Sequence, residues 1–106
     1  MQERKQAMLT MKKTLRVGNK VDTRTYICNM ASYDKKTESL YLLLMEGELA
    51  AISLDAIYEC KLKEAEYDIV ASGRIEERYR CEIGNIIKMK IENGFYKNNI
   101  KSVDKR

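Results

Sequence analysis

The sequence predicts an all-β fold, a small antiparallel split barrel of five to six strands with a short N-terminal extension. Three observations carry that expectation. Each cysteine stands two residues after a tyrosine, at Tyr26/Cys28, Tyr58/Cys60 and Tyr79/Cys81, a spacing that puts ring and thiol on one face of a strand. Apolar and polar residues alternate over long stretches, most clearly from Ala71 to Ile83 and from Ile87 to Glu92. There is no proline, so no strand is demoted on that account. A sheet of this size in a short chain hides its edges best by curling into a barrel.

The elements follow in chain order. Met8, Met11 and Leu15 recur at helical spacing, so residues 1–16 form a basic extension with a helical reading. Gly18-Asn19 marks a turn, and the remaining residues, 17–106, make one domain. Val21, Thr23 and Thr25 share one parity and Tyr26, Cys28 and Met30 the other, which predicts a strand over 21–31 with a bulge near Thr25. Asp34-Lys35-Lys36 turns the chain into the apolar run 40–45, a strand buried on both faces. Residues 52–62 alternate as a strand, yet Ala51, Leu54, Tyr58 and Leu62 also make a helical stripe, and both readings stay open.

The last third predicts strands over 69–83 and 86–92, with turns at Gly84-Asn85 and Asn93-Gly94. Parity demands an odd loop near Gly84, with Ile83 opposite Ile87, or a bulge. Gly73, inside a long strand, marks a bend or bulge. The expected core is Tyr26, Cys28, Leu54, Tyr58, Cys60, Ile75, Tyr79, Cys81, Met89 and Ile91, with all three thiols reduced.

Composition narrows function mainly by exclusion. The chain has 106 residues, enough for one modest core, with 44% apolar and 34% charged side chains. No apolar run approaches the ~20 residues of a membrane span, so no membrane span is expected, and a cytoplasmic location is the default. The net charge of +4 lies at the ends. Arg4, Lys5, Lys12, Lys13, Arg16 and Lys20 face only Glu3, and Lys97, Lys101, Lys105 and Arg106 face only Asp104, while the body between is acidic. A nucleic-acid groove needs basic charge across the folded body, so no nucleic-acid partner is expected.

There is no histidine, which removes Ser-His-Asp and Cys-His sites and the commonest general base. The cysteines form no CxxC pair, and no phosphate-loop or dinucleotide motif occurs. Asp55 with Glu59, and Glu76 with Glu77, read as solvated carboxylates. The chain is therefore expected to be no enzyme and to use no cofactor or metal. Arg74 and Arg78, four apart on a strand, share a face and could converge on phosphate, with Glu76 between them expected to hold at least one in a surface pair. Phe95-Tyr96 is a candidate contact for a homodimer.

One resemblance spans residues 15–104. Its pieces are Leu15-x-Val17-Gly18, the strand with Tyr26 and Cys28, Leu40–Leu44, Ile52–Cys60, Gly73–Tyr79 and Ile91–Lys97. In that order they resemble PilZ-type barrels, particularly the N-terminal barrel of flagellar-brake cyclic-di-GMP receptors. The resemblance implies a split barrel and a non-catalytic interaction or regulatory module, acting through a protein partner, a second domain or self-association. Cyclic-di-GMP-binding members carry R-x-x-x-R on a flexible segment ahead of the barrel, followed by a [DN]-x-S-x-x-G motif on a strand. Here Arg74 and Arg78 fall inside a late strand and no such motif follows. A direct receptor for cyclic-di-GMP or another phosphate-bearing ligand, through Arg74 and Arg78, is the alternative.

Overall fold

In the computed structural model, which describes residues 5–64 and 68–98 and the side chains of the latter as far as Gly94, six strands close an antiparallel barrel. They are β1 (Gln6–Thr14), β2 (Thr25–Asp34), β3 (Ser39–Glu46), β4 (Ala56–Lys63), β5 (Asp68–Cys81) and β6 (Gly84–Asn98). Around the barrel they run β1-β2-β3-β6-β5-β4, and β4 returns to pair with β1. The single helical turn among the described residues is a 3₁₀ turn at Leu49–Ala51, and no helix there is long and apolar enough to cross a membrane.

The helical expectation for the N-terminal residues is overturned, because Gln6–Thr14 is the first strand of the barrel, bonded to β2 and β4. Ala7, Leu9 and Met11 all point inward and are buried. Met8, which made the helical stripe, sits on the outer face, and closure of the sheet decides the period. Residues 52–62 divide: the strand reading holds from Ala56, whose alternate partners Tyr58, Cys60 and Leu62 are buried, while Ile52–Asp55 form a loop. Leu54, expected in the core, is exposed in that loop.

The core fills the barrel interior. Leu9 lies between Tyr26 on β2 and Cys60 on β4, Met11 lies opposite Tyr58, and Ile75 lies opposite Met89, which faces Leu40. Tyr26 and Tyr58 are the largest fully buried side chains, and both find partners for their hydroxyls. Tyr58 accepts the Ser53 N–H at 2.9 Å, and Tyr26 donates to the Asp22 carboxylate. Gly73 packs its backbone against β6 so closely that a Cβ there would stand 1.9 Å from the Lys90 carbonyl oxygen. That approach explains the glycine inside a strand.

The hairpin between β5 and β6 turns at Glu82-Ile83, with Cys81 opposite Gly84, and not at the expected Gly84-Asn85. Gly84 takes φ +135°, a conformation that side chains rarely adopt. Parity is repaired by the bulge, not by an odd loop. Ile75 pairs with Met89 and Glu77 with Lys88, so Glu76 is the extra residue, and Ile83 does not face Ile87. The expected turn at Asn93-Gly94 is absent, since β6 runs through it with register irregularities.

Candidate functional site

The bulge at Glu76 decides what the end of the hairpin presents. Ahead of it Val70, Ala71 and Ile75 are buried. Past it the strand's phase shifts by one residue, so Tyr79 and Cys81, expected inside, turn outward. The third Tyr-x-Cys pair thus leaves the core that the first two occupy. Cys28 and Cys60 sit in apolar surroundings that push their thiols up to about 12.

On the outer surface the rows continue across three strands. Leu43 of β3 pairs with Ile86 of β6, which pairs with Tyr79 of β5. Ile86 is buried on this outer side and belongs to no part of the barrel core. Next to the row Met45 and Ile83 are each 53% exposed, and Tyr79 is 38% exposed. Leu43, Met45, Cys81 and Ile83 share a cleft of about 370 Å³ with Arg80 at its rim. Lys88 closes the strip at the other end, 6.0 Å from the Tyr41 ring centroid and 3.5 Å from the Glu76 carboxylate. Large aliphatic and aromatic groups are therefore gathered on one outward face of a hairpin, rimmed by cations.

Arg74 and Arg78 do not share a cleft. Arg74 lines one of about 560 Å³ with Leu54, Glu76, Glu77 and Lys90. Arg78 lines another of about 550 Å³ at the barrel mouth, with Arg80, Asn85 and residues 47–50. The bulge between the two arginines separates them by turning the later one toward the mouth. Arg78 donates to the Ile52 carbonyl, and Arg80 donates through Nε to the Asn85 side-chain oxygen at 3.3 Å. The expected surface pair between Glu76 and an arginine is corrected, because Glu76 takes Lys88 instead. Neither Arg78 nor Arg80 has a carboxylate partner among the described residues.

Where β4 ends is equally telling. Its ladder with β5 stops at Ile57↔Arg74. Upstream of it the chain leaves the sheet: the Asp55 carbonyl accepts the Leu15 N–H at 2.8 Å, and the Ile52 carbonyl is taken by the Arg78 guanidinium. From Ile75 to Cys81, β5 is consequently bonded on one side only, to β6. No residue type announces this in the sequence, because it follows from where a neighbouring strand begins.

The other sequence candidates fall elsewhere. Asp55 is paired with Arg16 at 3.4 Å, and Lys5 of the basic end with Glu64. Asp22 receives Nε of Arg24 at 2.9 Å and its Nη2 at 3.1 Å, along with the Tyr26 hydroxyl. The Arg24 hydrogen bonds hold its carboxyl down at about 2, and burial pushes the Tyr26 hydroxyl up to about 12. This cluster ties the loop before β2 to the barrel. Among the described residues no three His, Cys, Asp or Glu side chains gather in a metal-holding group. The Phe95 and Tyr96 side chains lie outside the described residues. Comparison of the chain with family models, curated proteins and solved structures gave no match in any of the three.

Proposed function

We propose that this chain is a non-catalytic interaction module, a PilZ-like barrel that acts by offering the outer face of its β5–β6 hairpin to another protein surface. The carrying observation is the apolar strip outside the core: Ile86 buried on the outer side, flanked by Leu43 and by exposed Tyr79, Met45 and Ile83. Exposed apolar groups gathered on one face, with cations at the rim, are the composition of a protein contact. The closed antiparallel barrel is compatible with the PilZ resemblance, but many families share such barrels, so the reading rests on the surface.

A photo-crosslinking residue in place of Ile83, in cells that make the protein, tests the reading. A discrete protein adduct that disappears when Tyr79→Ser and Met45→Ser are added is expected. Absence of any adduct removes the proposal.

A second reading is kept because Arg78 and Arg80 line one cleft without carboxylate partners among the described residues. It makes the barrel mouth a receptor for cyclic-di-GMP or another phosphate-bearing ligand, with Arg78 contributing and Arg74 outside that cleft. Calorimetric titration with cyclic-di-GMP distinguishes the two. Binding heat lost in Arg78→Ala favours the receptor, and an Arg74→Ala variant that binds normally assigns it to the mouth.

A further inference from the structure

The unpaired side of β5 is an open strand edge beside the apolar strip. Over Glu77–Cys81 the strand is regular, paired residue by residue with β6 as far as Gly84, and its other side bonds to no strand among the described residues. Backbone N–H and C=O groups on that side are available to an added strand, which is how edges recruit partners. β6 past Ile91 is also one-sided, but register irregularities opposite Val70 and Ser72 interrupt that ladder.

The charge order along the edge points to an occupant. It reads Glu76, Glu77, Arg78, Tyr79, Arg80, acidic at one end and basic at the other. All five side chains are exposed. An antiparallel copy of the same strand runs this order backwards, so the acidic half of each meets the basic half of the other. A register centred on Arg78 brings Glu76 within reach of Arg80 of the second copy and sets Glu77 opposite its Tyr79. Both contacts occur twice about the two-fold axis. Moving the centre to Tyr79 would set Arg78 against Arg80 and repel. The Arg78 guanidinium is turned away to the Ile52 carbonyl, which reduces the cost of facing its own copy.

We propose that β5 edges of two copies pair antiparallel, forming a continuous β6-β5-β5-β6 ribbon and a symmetric dimer. This rests on the interaction-module reading but fails separately from it: a chain that stays monomeric when pure can still give the Ile83 adduct with another protein.

Sedimentation equilibrium of the full chain up to high micromolar concentration tests the pairing. The expected result is a dimer that weakens with added salt. Arg80→Glu and Glu76→Lys should each raise its dissociation constant at least about tenfold, since each change acts twice across the axis. Both sites are exposed, and circular dichroism checks that each variant is folded. Mixing the two variants should restore association, because each then meets the opposite charge. A monomer at every concentration overturns the proposal, and so does a dimer that both variants leave unchanged.

Discussion

The two ends of β5 carry similar alternating sequence and have opposite fates. From Asp68 to Arg74 the strand lies between β4 and β6, and its inward residues are sealed in the core. From Glu76 to Cys81 it has one neighbour, and every side chain is exposed. Alternation of apolar and polar residues is thus necessary for burial but does not ensure it. The phase of the strand and what lies beside it decide the outcome as well, and the bulge at Glu76 and the late start of β4 change both past Ile75.

The largest expected effect breaks the sealed half directly. Gly73→Ala places a methyl against the Lys90 backbone, which cannot swing aside, and should cost about 3–5 kcal/mol in urea unfolding. At Gly84 in the open half a Cβ meets only a Leu43 methyl at 2.9 Å, though at φ +135°. Gly84→Ala should cost less, about 1–2 kcal/mol. Equal costs would mean that the two halves are not packed as differently as described.

Side-chain truncation should show the same division. Leu42, fully buried opposite Ile87, should lose about 3 kcal/mol as Leu42→Ala, while Ile83→Ala at the hairpin turn should stay within about 0.5 kcal/mol. A chemical-denaturation series on the two variants reads this.

The three cysteines sharpen the comparison further. At neutral pH the Cys28 and Cys60 thiols, pushed up to about 12 by burial, hold almost no thiolate. Exposed Cys81 should react alone with a thiol reagent in the native protein, and the other two only after unfolding. Cys60→Ser should destabilise by about 1–3 kcal/mol and Cys81→Ser by less than about 0.5 kcal/mol. Simultaneous fast labelling of all three thiols would contradict the assignment.

The smallest effect belongs to the loop before β2. Asp22 sits at about 2 in the fold against an ordinary 3.8, held there chiefly by its hydrogen bonds from Arg24. A depressed carboxyl stabilises the fold fully above its unfolded value, and that contribution fades as pH falls from about 4 toward 2. Its size is on the order of 1 kcal/mol. Thermal melts between neutral and acid pH should show this loss, and Asp22→Asn should flatten it.

Much of the fold was legible. Tyr26, Cys28, Tyr58, Cys60, Ile75, Met89 and Ile91 are buried as their alternation predicts, and Gly73 marks a close backbone approach. β1 was misread because Met8, Met11 and Leu15 imitate a helical stripe, while the strand's own inward set of Ala7, Leu9 and Met11 includes a residue as neutral as alanine. Of the candidate site, Arg78 was legible as a cation on a strand. Its cleft-mate Arg80 shares that face by plain alternation, but only the bulge turns the two toward the barrel mouth and away from Arg74.

By itself the sequence determined the all-β class, the identity of most core residues and the absence of histidine chemistry, because these depend on residue type and a period of two. Only the tertiary structure decided that the third Tyr-x-Cys pair faces out, that Arg74 and Arg78 part, and that β5 keeps an open edge. Each of these depends on which strand lies alongside, and at what register, a relation between segments far apart in the chain that local spacing does not encode.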